Sequence, residues 1–419
     1  MSARAEPLEQ ALTELLKDNP RLGAARQNVV AQTEGQREAF SAYYPVLSFT
    51  GDAGWEYTNS PSLRDSGDSP LSTDRENATL TLRQTIWDGN RREAQYEISK
   101  LNKGIADLSL YVTTQDLLFE AIFAYHEVMR NLRLIEIAKA NEATLQEQLQ
   151  LEDERVIRGS GIAVDVLQAK SRLQIAKEQR VAFEGRMREA KARYAEIFNK
   201  DPALDELVEP VPPIALLPEG LETAISIAVG ENPVLAVSER SIDIAAQERE
   251  IARSEFFPKL ELVGRANYEN DVEGIEGERD DYSAVLQVTW ELFSGFRTSA
   301  ATARTAATRL QRVEERNETA RKIAEETRLA WESLQTARER VELLQNAVNI
   351  ADEVYNSRLR LREAGRETSL NVLDSLSELR AAQINFVNAS YDARISVYRL
   401  LRAIGHLQPE DMGLTVAQQ

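Results

Sequence analysis

Two histidines, His126 and His406, are the chain's whole supply of imidazole, and cysteine is absent. A cysteine nucleophile, a thiolate metal site and a disulfide are therefore excluded. The histidines stand far apart on segments that read as helices, and no HExxH spacing sets two of them against one metal ion. No Gly-rich phosphate loop follows a strand, and no nucleophile elbow is present. Carboxylate pairs are abundant, but on charged helices they form a solvated face. The expectation is a protein that is not an enzyme, with no cofactor and no metal site.

Composition narrows the class further. The 419 residues hold 50 Lys and Arg against 68 Asp and Glu, a net charge of −18. So acidic a surface argues against nucleic acid, which selects a basic stripe. Hydrophobic residues make up 42% of the chain but aromatic residues only 6%. That balance suits long solvated helices better than a thick core. No run of about 18 apolar residues occurs, so no transmembrane helix is expected. No signal peptide is legible, although Ala3-Arg4-Ala5 fits a small-x-small cleavage pattern, as in a mature chain with a replaced start.

The elements that would position any functional residue occur twice. Asn19-Pro20 recurs as Asn232-Pro233 and Tyr44-Pro45 as Phe257-Pro258, both offset by 213 (232 less 19, 258 less 45). Gly89, Gly159 and Val166-Leu167 recur as Gly295, Gly365 and Val372-Leu373, offset by 206 (295 less 89). Such a repeat marks a duplicated unit whose second copy has a loop seven residues shorter. The copies are read as 1–207 and 220–405, joined by a proline-rich connector, 208–219, and followed by a loosely structured tail, 406–419.

Each copy runs through two helices, two strands and a long helical hairpin. Proline at 20 and 233 suits a helix start. Strands are expected at about 46–58 and 77–87, then at 259–269 and 282–293, from strict two-residue alternation. The intervening stretches 59–76 and 270–281 read as loops. Hairpins over about 90–198 and 296–404 carry apolar residues at three-and-four spacing, which over such lengths indicates coiled coil.

Four strands of about ten residues, each with one apolar and one polar side, match the length and pattern of membrane β-strands. Leu47, Phe49, Trp55, Leu80, Leu82, Leu260, Leu262, Leu286 and Val288 would face lipid. Tyr44, Trp87, Trp290 and Phe293 fall at strand ends, where aromatic girdles belong. Open sheet edges do not occur in lipid, and four strands cannot close. The chain would then share a barrel with copies of itself: eight strands in a dimer, twelve in a trimer, sixteen in a tetramer. The competing reading is a soluble periplasmic coiled-coil scaffold without a channel.

The duplicated order of helix, Asn-Pro, helix, aromatic-Pro, strand pair and Gly-started long helix resembles the TolC family of outer-membrane efflux and secretion channels over essentially the whole length. So do the hairpin tips, Arg155 to Leu167 and Arg362 to Asp374. The resemblance implies a mainly α-helical chain with membrane β-structure: a homotrimer with a 12-stranded barrel among outer-membrane lipid, standing on a periplasmic cylinder of 12 helices. Its partners would be a periplasmic adaptor (membrane fusion) protein and an inner-membrane transporter of RND or ABC type. It would be a passive exit duct whose cargo the sequence does not name.

The resemblance also assigns the tips. Arg158, Gly159, Ser160, Gly161, Gly365 and Arg366 would meet the adaptor, with the family's flanking apolar residues replaced. Family members close the periplasmic entrance with aspartates inside the last return helix; Asp374 matches and Asn371 replaces an acid. Asp165 occupies the position in the first copy that Asn371 holds in the second. With the hairpins side by side, an Asp165–Arg362 link would hold the entrance shut, unless Asp165 and Asp374 only favour their helix N-termini.

Overall fold

The computed structural model describes residues 7–65, 71–159 and 162–414. In the first copy, α1 spans Leu8–Asp18, α2 Pro20–Ser41, β1 Val46–Thr58, a short α3 Pro61–Asp65, β2 Leu71–Trp87, α4 Arg91–Ile157 and α5 Ala163–Phe198. A 3-10 turn at Ile214–Leu216 lies in the connector. The second copy supplies α6 Leu221–Glu231, α7 Pro233–Ser254, β3 Lys259–Asn270, β4 Glu278–Thr289, α8 Arg297–Glu363 and α9 Ser369–Ala403.

The chain divides into two compact units, and both draw on both copies. One comprises residues 1–25, 109–236 and 318–419; the other comprises 26–108 and 237–317.

The first unit is helical. Leu8, Leu12 and Leu16, spaced one turn apart on α1, are buried with Leu117, Ile122 and Tyr125 of α4, Tyr194 of α5 and Tyr398 and Leu401 of α9. The Asn-Pro pairs do the same work twice. Asn19 Oδ1 accepts from the Arg21 N–H and Asn232 Oδ1 from the Val234 N–H, both at 2.9 Å. Each asparagine caps a helix whose first residue is a proline with no N–H to satisfy. The connector is strapped down: the Tyr125 hydroxyl donates to the Val208 carbonyl at 2.8 Å and accepts from its N–H at 2.9 Å. Glu209 then pairs with Arg394.

The tail differs from expectation. Leu407, Gln408 and Leu414 are buried, and the Gly405 carbonyl accepts from Gln115 at 2.5 Å. Gly405 has φ of +85° and ends α9, with the His406 N–H donating back to Leu401 at 2.8 Å. As far as Leu414 the tail packs because Leu407 and Leu414 find buried places.

The second unit contains a four-stranded antiparallel sheet in the order β1-β2-β3-β4. Three boundaries depart from the sequence reading. β2 begins at Leu71 rather than 77, because Ser72 to Glu76 pair with β1 residues Tyr57 to Ala53. β4 begins at Glu278 rather than 282 and ends at Thr289 rather than 293. The turn before it is tight: the Gly277 N–H donates to Asp271 Oδ1 at 2.6 Å, with Gly277 at φ +102°. After Thr289 the chain leaves the ladder, and Trp290 Nε1 donates to the Phe256 carbonyl at 3.0 Å. Residues 72–76 and 278–281 are polar on both sides, so period alone could not mark them as strand.

Strand-to-helix reversals use paired left-handed residues, Gly89 and Asn90 in one copy and Gly295 and Phe296 in the other. At Gly89 a Cβ would lie 2.9 Å from the Ser254 carbonyl, so glycine is required by space as well as by φ.

Candidate channel wall and helix tips

The sheet sorts its residues by face. Pairing sets Leu47, Leu82, Gly264 and Ala284 in one cross-strand row and Phe49, Leu80, Ala266 and Tyr282 in the next. Leu262 faces Leu286, and Leu260 faces Val288. All nine candidate lipid contacts therefore lie on one face. Most are bare: Phe49 is 70% exposed, Trp55 69% and Leu286 62%, whereas Leu260 is partly covered. A ladder irregularity between Thr85 and Trp87 brings Trp87 opposite Leu260.

The opposite face is a polar lattice. Arg75 of β2 bonds Asp52 at 2.8 Å and Glu56 at 3.1 Å on β1. Thr79 donates to Asn267 of β3 at 2.5 Å. Glu261 is buried between Lys259, 2.9 Å away, and Arg83 at 3.9 Å. Arg279 of β4 meets Asp281 at 2.9 Å and Glu269 at 3.9 Å. One outward edge each of β1 and β4 has no partner strand among the described residues.

The helix tips belong to the other unit. Arg362, in the last turn of α8, is buried and donates to Gln148 and Glu152 of α4. Ser369, the first residue of α9, donates its hydroxyl to the same Glu152 carboxylate at 2.7 Å. Three helices meet on one buried carboxylate. The expected Asp165–Arg362 link does not form. The α4 side chains take the Arg362 fork, and Asp165 stays half-buried in the first turn of α5 with no side-chain partner among the described residues. That position fits the helix-dipole reading of Asp165.

Asp374 is paired instead with Arg172 of α5, whose Nη1 also donates to Ser377 at 2.8 Å. This ties the second helix of each hairpin to the other. Asn371 donates to Glu367 at 2.6 Å, and its N–H is capped by Thr368 Oγ1 at 3.3 Å. The Asn371 bond, then the Thr368 N–H, hold the Glu367 carboxyl below the usual carboxylate range. Arg158 pairs with Glu154 at 3.2 Å on the surface. Gly159 and Gly365 take φ of +75° and +70°. At Gly365 the Arg366 N–H returns to the Leu361 carbonyl at 2.9 Å, the left-handed cap that ends α8. Ser160 and Gly161 lie outside the described residues.

Sequence reasoning missed Glu152, Gln148 and Arg172. A signal for the first two existed: they fall at i+7 and i+3 from buried Leu145, where a polar residue in a coiled-coil seam demands a partner. Arg172 carried none. Of the histidines, His126 is buried with Nδ1 2.7 Å from the Ile122 carbonyl, and His406 lies 2.7 Å from Glu231.

The comparisons follow the duplication. A family model described as outer membrane efflux protein matches residues 11–199 and 224–406, one match in each copy. The outer membrane efflux protein BepC of Brucella suis biovar 1 is 24% identical over 418 residues, covering 100% of this chain and 89% of the relative. The alkaline protease secretion protein AprF of Pseudomonas aeruginosa is 26% identical over 417 residues, covering 96% and 85%. Among solved structures, the outer membrane protein VceC from Vibrio cholerae superposes with a TM-score of 0.81 at 18% identity, covering 95% of this chain and 96% of that one. With both copies matched over most of their length, the chain belongs to the outer membrane efflux protein family.

Proposed function

We propose that the chain is one protomer of a passive exit duct in the outer membrane of a Gram-negative bacterium, serving an efflux pump or a secretion system. The observation that carries this reading is a four-stranded sheet with an apolar face left bare and two edges unpaired. In water such a face is a liability, and in lipid such edges are forbidden. Three copies close twelve strands, with the Leu47–Phe49 face toward lipid and the Arg75–Glu261 face toward an aqueous lumen. A soluble scaffold would leave both the face and the edges unexplained.

The hairpins form the periplasmic part, and their tips are its entrance. Arg362–Glu152 and Arg172–Asp374 hold the hairpins of one protomer together in the resting state. A periplasmic adaptor meets Arg158, Gly159, Gly365 and Arg366, and an inner-membrane transporter of RND or ABC type supplies the cargo. The relatives' names include both efflux and protease secretion, which suits a duct whose cargo is chosen by the transporter it joins.

The test is extraction from membranes with detergent followed by native mass measurement. Three times the 47.1 kDa chain, migrating differently on a gel before and after heating, is expected. A monomer recovered without detergent would refute the duct.

A further inference from the structure

We propose that Arg265 gives the middle of the barrel an anion-preferring zone, drawing solutes that carry carboxylate or sulfonate groups. This rests on the duct reading above, with the polar sheet face lining the lumen. Pairing sets Arg265 in a cross-strand row with Ser48, Thr81 and Ser283. Alternation places all four on the polar face, beside Val263 and Asn267 and opposite Gly264 and Ala266.

The argument turns on which lumen charges are already neutralised. The other cations of that face, Arg75, Arg83, Lys259 and Arg279, each lie in an ion pair. Among the described residues Arg265 lies in none, and it is exposed. Its nearest cross-strand carboxylate along the ladder is Asp281, opposite Asn267, which Arg279 already holds at 2.9 Å. The partners beside Arg265 are hydroxyls, which donate to an anion as readily as they accept. A planar guanidinium with its fork free binds carboxylate and sulfonate oxygens two at a time. Threefold symmetry would set three such forks at one height. Paired belts lie on either side, Glu261 with Lys259 and Arg83 below and Glu269 and Asp281 with Arg279 above. The lower belt keeps one positive charge and the upper belt one negative, and Arg265 is the cation of this face that no carboxylate holds among the described residues.

The chain has no cysteine, so a single introduced thiol reports its own position. Ser283→Cys, directly across from Arg265, is exposed in purified trimer to an anionic sulfonatoethyl and a cationic trimethylammonioethyl methanethiosulfonate, and the two rates are compared. This readout does not depend on whether the helix tips are open. One unit charge at about 6 Å in water changes each rate about threefold, and so the ratio about tenfold. The anionic reagent is expected to gain by that factor over the same thiol in an Arg265→Gln background. Arg265→Lys should keep the preference and Arg265→Glu should invert it. A Ser283→Cys thiol that reacts with both reagents at a ratio indifferent to residue 265 overturns the anion zone and leaves the duct standing. A thiol that reacts with neither reagent in folded protein, while Leu286→Cys on the opposite face reacts readily, overturns the duct reading itself.

Discussion

The Arg362 guanidinium of α8 is buried against the Glu152 carboxylate of α4, so the two hairpins of one chain are pinned by a charge pair that water barely reaches. Removing one partner of a buried pair strands the other charge and costs about 3–5 kcal/mol. Arg362→Ala and Glu152→Ala should each loosen the tips, raise single-channel conductance in planar bilayers and speed proteolysis near residue 159. Because each removes the same link, the double variant should cost much less than the two singles added. Additive losses with unchanged conductance would show that the pair does not hold the entrance.

Asp374 is neutralised by Arg172 rather than left free. Arg172→Ala should therefore create sensitivity to divalent cations added on the periplasmic side, and Asp374→Ala in the same background should abolish it. Asp165→Ala should leave conductance near wild type, since that carboxylate holds no partner among the described residues. Equal block of the wild type and Arg172→Ala would remove Asp374 from the permeation path.

His126 titrates in a buried site. Burial pushes its pKa down to about 4, with Arg394 and Arg130 opposing the proton and Glu209 and the Ile122 carbonyl favouring it. Tyr391 and Tyr398 of α9 and Tyr125 of α4 complete its surroundings. The unfolded chain takes up a proton near pH 6.5 and the folded chain does not. Stability is therefore full above pH 6.5 and declines as pH falls toward 4, by an amount on the order of 3 kcal/mol. His126→Phe should flatten the melting temperature across that window, while the loss below pH 4 from carboxylates such as Glu209 persists. An identical slope in wild type and variant would contradict the burial of a neutral imidazole.

Leu82 and Thr81 are neighbours on opposite faces of β2. Arginine at Leu82 should cost about 2–4 kcal/mol if the site lies near the bilayer midplane, read as lost yield of heat-modifiable trimer. Arginine at Thr81, paired across the ladder with Arg265, should fold normally and raise the anion preference of the current. Equal tolerance at both sites would remove the lipid-facing assignment.

An epitope inserted between Ile275 and Glu276, in the turn between β3 and β4, should bind antibody on intact cells. Labelling only after the outer membrane is opened would mean that the hairpins point into the periplasm. Ser66, the tag position in the loop between β1 and β2, lies outside the described residues.

The long helices and the face of each strand were legible because period is a physical consequence of burial on one side. The stretch 163–198 reads as helix, and α5 covers Ala163–Phe198. The beginning of β2 was not legible: Ser72 to Glu76 are polar on both sides, so nothing in their order separates strand from loop. Nor could period choose a partner for Arg362. That choice depends on the rotational phase of α8 against α4, and only the polar interruption at Gln148 and Glu152 hinted at it. The tail after Gly405 misled because its few apolar residues, Leu407 and Leu414, have no periodicity, yet each finds a buried place.

The central claim is that three chains close one barrel, each joining its β4 edge to the next chain's β1 edge. The direct measurement is disulfide trapping in a chain without native cysteine. Ser48→Cys on β1 is combined in turn with Ser283→Cys, Val285→Cys and Gln287→Cys on β4, all on the polar face. One combination should give covalent species that stop at three chains on a non-reducing gel, while the single variants stay monomeric. Trapping that stops at two chains, climbs without limit or fails in every combination would contradict the account.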